Sequence, residues 1–160
     1  MDYQIRTILF ATDLSGHAPE VARHALGLAQ QFGAKLHVLH ALEPLSDYNY
    51  WLLDNYLPYE TQQLLRQPGE LGTIRQGMQQ RLEEFCRKLD APEGMVASIK
   101  VVEALPAMAI LDEAKTISAD LIVMGSHGQS ALSEVFMGSV AHKVVMRSHL
   151  PVLLVPIKEG

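Results

Sequence analysis

The sequence predicts a doubly wound α/β fold, and three observations carry that prediction. Five short apolar runs recur along the chain, at residues 7–11, 35–41, 96–102, 119–124 and 152–155. Segments of helical periodicity separate them. Parallel strands need long crossovers, usually helices, so the alternation implies a parallel sheet covered on both faces. Right-handed crossovers with one reversal of winding give five strands in the order 3-2-1-4-5.

Residues 7–11 (TILFA) are apolar and β-branched at their start, as a buried strand requires, and a polar break, TDLSG, follows. A helix fits residues 19–32. Val21, Ala25, Leu28 and Phe32 recur at its spacing, Pro19 suits a first turn and Gly33 a C-terminal stop. Residues 35–41 (KLHVLHA) form the second strand.

The connection at residues 42–72 is long and holds Tyr48, Tyr50, Trp51, Tyr56 and Tyr59. It either covers the end of the sheet or serves as a lid or partner surface. Beyond it Leu71, Ile74, Met78, Leu82, Phe85 and Leu89 step by three or four, the mark of an amphipathic helix that also includes Cys86. Residues 96–102 make strand three. A helix over 106–118 turns Ile110, Leu111, Ala114 and Ile117 inward, residues 119–124 make strand four, 139–147 a helix and 152–155 strand five.

A chain of 160 residues with 48% hydrophobic and 19% charged residues reads as one folded domain, 1–160. A net charge of -5 with 13 scattered basic residues argues against nucleic-acid partners and a polybasic membrane anchor. No apolar run is long enough to span a bilayer and no secretory leader is evident, so a cytoplasmic location is expected. Cys86, the only cysteine, can form neither an intrachain disulfide nor a zinc cluster.

Doubly wound sheets bind ligands beyond the carboxyl ends of the strands where the winding reverses. Here that point lies between strands one and four, whose exit loops are 12–16 and 125–138. The first offers Asp13. The second offers Gly125 and Gly128, which let a ligand approach the main chain, and Gly138-Ser139 at a helix start. The free amides and positive dipole of that start favour a phosphate, and Ser139 either caps the helix or donates to the anion.

The spacing Gly125-x2-Gly128-x9-Gly138-Ser139 resembles the G-x2-G-x9-G-S/T motif of the nucleotide-binding universal stress proteins. The likeness runs through ILFATDLS, HVLHA, ADLIVMGSHG, MGSVAHKVV and PVLLVP, nearly the whole chain. It implies an adenine nucleotide alpha-hydrolase-like fold, usually dimeric, that acts in stress adaptation by binding ATP, ADP or AMP, with Mg2+ as an optional companion. Under this resemblance Thr12 and Asp13, with Ala11 beside them, lie against adenine and ribose, and the Ala41 backbone reads the adenine edge. Met124 and Gly125 line the ribose, while His127, Gly128, Gly138, Ser139 and Val140 surround the phosphates. Val152, Leu153, Leu154 and Val155 resemble the strand through which family members dimerise. Ala104, Gln129 and the aromatic connection depart from the family pattern.

No lysine or arginine occurs between Lys115 and Lys143, and the lysine-bearing phosphate loop is absent. Transition-state charge in phosphoryl transfer needs such cations, so retention of a nucleotide is favoured over turnover. Two alternatives stand beside this reading. One is a weak ATPase or nucleotide-transferring enzyme using Asp13 and His127; the other is a nucleotide-independent module that binds a protein through the Tyr48 to Tyr59 stretch. His37 and His40, three apart on a strand, face opposite sides and cannot share a metal. His24, His142 and His149 are expected at the surface, and no metal site is expected.

Overall fold

The computed structural model describes residues 3–44, 55–56, 58–60, 70–127 and 137–157. Among these the chain runs β1 (Thr7–Ala11), α1 (Ala18–Phe32), β2 (Lys35–Leu42), α2 (Glu70–Lys88), β3 (Val96–Glu103), α3 (Pro106–Thr116), β4 (Leu121–Gly125), α4 (Ser139–Arg147) and β5 (Val152–Val155). The strands form one sheet in the order β3-β2-β1-β4-β5, every neighbouring pair parallel. The expected class and order hold. Boundaries move slightly: β2 and β3 are each one residue longer, and β4 starts later and takes in Gly125.

The central strands are apolar at consecutive positions because both of their faces are covered. Ile8, Phe10, Leu36, Val38 and Val123 meet α1 and α2 on one face. Leu9, Leu39, Ile122 and Met124 meet α3 and α4 on the other. Asp120 fixes where β1 and β4 begin side by side. Its Oδ2 accepts hydrogen bonds from the amides of Arg6 (2.8 Å) and Thr7 (2.9 Å), and its own amide donates to Thr7 O (2.8 Å).

Small side chains let α1 lie close on the sheet: Ala18, Ala22, Ala25 and Ala29 are buried along its inner stripe with Val21 and Leu26. Gly33, in the left-handed region at φ 62°, closes the helix, and the Ala34 amide reaches back to Ala29 O (2.8 Å). Phe32, expected on the inner stripe, is 49% exposed because the last turn overhangs the buried portion, which ends at Ala29.

On α2 the innermost residues are Leu82 and Cys86, with Phe85 set against Phe10 at a ring separation of 6.5 Å. Ile74, expected inward, is exposed. Gln79 does something its place in the pattern does not announce. Its Nε2 donates to Ile99 O (2.9 Å) and its Oε1 accepts from the Val101 amide (3.0 Å), while Nε2 also reaches Glu83 Oε1 (3.0 Å). The side-chain amide thereby makes the pair of bonds that one residue of a neighbouring parallel strand would make.

The packing fixes two outcomes. Leu82→Ala, at a fully buried position, should lower the unfolding free energy by about 2–5 kcal/mol, read from the midpoint of urea denaturation at constant m-value. Burial, aided by the charge of Glu83, pushes the Cys86 thiol up to about 11. Its alkylation near neutral pH should therefore be slow in the native protein and become fast on denaturation, as followed by mass spectrometry.

Candidate ligand site at the switch point

A cleft of about 420 Å³ opens between the carboxyl ends of β1 and β4. That volume falls in the usual range of small-molecule sites, roughly 300–1,000 Å³. One wall is the exit of β1. Ala11, Thr12 and Asp13 line it, and the loop is held locally. The Thr12 amide donates to Leu39 O (2.9 Å), Thr12 Oγ1 accepts from the Leu14 amide (3.1 Å), and Asp13 Oδ1 accepts from the Ser15 amide (3.0 Å). Leu14 adopts the left-handed conformation at φ 57°, which costs an L-residue about 1–2 kcal/mol. Burial of its side chain in the core offsets that cost and holds the loop in its bend.

Two histidines were expected on opposite faces of β2, and the partners they find differ accordingly. His40, buried, donates from Nδ1 to Thr12 O (2.8 Å) and so ties the end of β2 to the β1 exit. His37 Nδ1 meets Ser98 Oγ (2.6 Å) on β3, within the electrostatic reach of Glu113 on α3. Glu113 itself is paired with Lys100 at 2.8 Å. Burial lowers the proton affinity of His37 from its ordinary 6.5, and the Glu113 charge opposes that shift less strongly.

The other wall is the exit of β4, where Met124, Gly125, Ser126 and His127 follow one another. Gly125 is closely packed: a Cβ there would lie 2.8 Å from Ile157 Cδ1, which would have to shift, and 3.4 Å from both Val21 Cγ2 and His127 O. Ala41 closes the β2 side, and Gly138, Ser139 and Val140 bring the start of α4 to the cleft. Gly138, in extended backbone, is the N-cap, so Ser139 is the first helical residue and its hydroxyl does not cap the helix. The first intrahelical bond runs from the His142 amide to Gly138 O (2.9 Å), and the amides of Ser139, Val140 and Ala141 precede it in the turn that has no intrahelical acceptors.

Of the residues singled out from the sequence, Ala11, Thr12, Asp13, Ala41, Met124, Gly125, His127, Gly138, Ser139 and Val140 all line this one cleft. Gly128 and Gln129 lie outside the described residues, as do Tyr48, Tyr50 and Trp51; Tyr56 and Tyr59 are exposed. Val152, Leu153, Leu154 and Val155 form the edge strand β5. His24, His142 and His149 are exposed. Among the described residues no three His, Cys, Asp or Glu side chains come together as a metal would require.

Sequence reasoning missed Ser126, His40 and Ile157 as parts of the cleft. The first two stood inside the motifs GSHG and HVLHA, overshadowed by their glycine and backbone neighbours. Among the described residues, lysine and arginine are absent from the lining. The guanidinium of Arg81, on α2, instead reaches Leu14 O at 3.5 Å, behind the β1 exit loop.

These features define a doubly wound α/β protein with a candidate small-ligand cleft at its switch point. The chain belongs to the universal stress protein family, whose sequence model matches residues 4–156. It is 37% identical over 155 residues to a universal stress protein of Thermus aquaticus, covering 94% of this chain and 98% of that one. Among solved structures it is similar to MJ0577 of Methanocaldococcus jannaschii, with a TM-score of 0.70, 24% identity and coverage of 98% and 99% of the two chains. A universal stress protein crystallised in complex with cAMP gives a TM-score of 0.61 at 22% identity, covering 96% and 98%.

Two measurements probe the geometry. Gly125→Val should destabilise the fold by about 1–3 kcal/mol through crowding against Ile157 and Val21, and Gly125→Ala by less, since the Ile157 terminus can rotate away; thermal denaturation compares the two. His37 is held neutral in the fold more strongly than in the unfolded chain. Its contribution to stability is therefore complete above pH 6.5 and is lost as the pH falls through its lowered folded value. Urea midpoints measured from about pH 7.5 to 5 should fall less steeply in His37→Gln than in the wild type.

Proposed function

We propose that this protein binds an adenine nucleotide in the switch-point cleft and acts as a regulatory binder in stress adaptation. The observation that carries the reading is convergence. Residues from β1, β2, β4 and α4, separated by up to a hundred positions or more in sequence, meet around one cleft of fitting volume. In this reading Ala11, Thr12, Asp13 and the Ala41 backbone receive the nucleoside. Met124 and Gly125 border the ribose, and His127, Gly128, Gly138, Ser139 and Val140 take the phosphates. The complex of a structural relative with cAMP supports an adenine nucleotide as the ligand class.

The chemistry of the lining favours retention over hydrolysis. A phosphate at the start of α4 is stabilised by amide dipoles already in place, a favourable but fixed field. Rapid phosphoryl transfer draws on cations that gather at the developing charge, and among the described residues the cleft lining holds one carboxylate, Asp13, and no Lys or Arg. A single carboxylate and the phosphates themselves would be the ligands of an accompanying Mg2+. The protein acts in the cytoplasm as a single domain that pairs with a second copy through the outer edge of β5. Among the described residues no helix is long and apolar enough to cross a membrane.

The test is chromatography of nucleotide released from heat-denatured protein, followed by calorimetric titration with ATP, ADP and AMP. Bound nucleotide or a saturable titration is expected, weakened at least tenfold in Gly138→Val. A nucleotide-free preparation that gives neither heat nor thermal stabilisation at millimolar ATP would overturn the reading.

A further inference from the structure

The ladder between β1 and β2 stops just short of Ala41. In a parallel sheet alternate residues of a central strand turn their N–H and C=O toward opposite neighbours. Leu39 turns toward β1, since its carbonyl accepts from the Thr12 amide (2.9 Å). Leu42 turns toward β3, since its carbonyl accepts from the Ala104 amide (3.1 Å). Ala41 therefore turns both its N–H and its C=O to the β1 side. Register with β1 ends at the pair Ala11 and Leu39, so these two groups point past the end of β1 into the cleft that Ala41 lines.

A ladder continued by one rung would set the Ala41 amide on Thr12 O and the Leu14 amide on Ala41 O. Side chains engage both of those partners instead. Thr12 O accepts from His40 Nδ1 (2.8 Å), and the Leu14 amide donates to Thr12 Oγ1 (3.1 Å). A carbonyl can only accept, so Nδ1 of His40 carries a proton whatever the charge of the ring. Thr12 and His40 are both buried, and a buried carbonyl left without a donor is costly. The imidazole supplies that donor, and among the described residues no backbone bond joins Ala41 to the β1 exit.

We propose that His40 is the positioning residue of the nucleoside end of the cleft: by bonding Thr12 O in place of the Ala41 amide, it keeps the Ala41 N–H and C=O open to a base. The inference rests on the nucleotide-binding reading for its ligand, and on the bonding pattern alone for the freed pair. One donor beside one acceptor on a single residue matches the edge of adenine, where a ring nitrogen that accepts stands beside an amino group that donates. Hypoxanthine reverses both groups, presenting a ring N–H beside a carbonyl. A site that meets donor with donor and acceptor with acceptor rejects such an analogue. His40 acts through Ala41, and its loss lets the ladder close by one rung over the pair.

The experiment compares the wild type with His40→Leu, which removes the donor, and His40→Asn, whose side-chain amide can stand where Nδ1 does. Without ligand, NMR coupling across hydrogen bonds should join the Ala41 amide nitrogen to the Thr12 carbonyl carbon in His40→Leu. It should be absent from the wild type and from His40→Asn. In titrations the wild type should bind ATP about tenfold or more tightly than ITP, the cost of mismatched hydrogen bonds. His40→Leu should bind ATP about tenfold more weakly than the wild type and lose the preference, and His40→Asn should recover both. A wild type that shows the Ala41 to Thr12 coupling would overturn the inference whether or not nucleotide binds. A wild type that binds ATP and ITP equally would overturn it too, and neither result needs a variant that folds. Equal losses for ATP and ITP in His40→Leu would reduce His40 to a structural residue and also overturn it. The expected couplings with no nucleotide bound by the wild type would overturn the function proposed above and the base selection, leaving the part of His40 in ending the ladder established.

Discussion

The architecture depends on one pairing, the parallel contact of β1 with β4. These strands are distant in sequence yet lie in register from Ile8 with Leu121 to Phe10 with Val123. Asp120 secures their starting ends by accepting two backbone amides. Their following helices then leave in opposite directions: α1 packs on one face of the sheet and α4 on the other. Diverging exits cannot cover the gap between them, so a cleft at this point follows from the winding itself. The glycines and the β1 exit loop refine an opening that topology has already made.

The walls of that cleft are built by different means. The β4 side rests on close packing, since Gly125 leaves room that Ile157 and Val21 fill. The β1 side rests on a bent loop whose unfavourable residue, Leu14, is pinned by burial, with Thr12 and Asp13 satisfying nearby amides. Strain held in this way is stable only while its anchors hold. The loop is therefore preorganised, and a ligand meeting it would not spend binding energy on ordering it.

The strand set was legible in the sequence because buried parallel strands must be apolar on both faces, and TILFA, LIVM and VLLV say so directly. Strand order followed from the handedness of crossovers. The cleft was legible through glycine spacing and through the resemblance that the spacing carries. Other features were hidden because they are long-range hydrogen bonds. His40 finds Thr12 across 28 positions and Ser126 finds Ile157 across 31, and local sequence carries no mark of either partner. The bounds of α4, 139–147, were legible, whereas the choice between Ser139 as cap and Ser139 as first helical residue was left open, because a cap is defined by backbone angles and Gly-Ser permits either. Ile74 and Phe32 kept the period of their helices but fell where the helix outruns the surface it covers.

A sheet of five strands has two outer edges, and here they are not equivalent. Along β3 the Gln79 amide already occupies one rung of the ladder. The opposite edge belongs to β5, which has β4 on one side only. The Gln79 side chain thus makes the two edges unlike, one carrying a side-chain amide on a rung of its ladder and the other bonded only to β4 among the described residues.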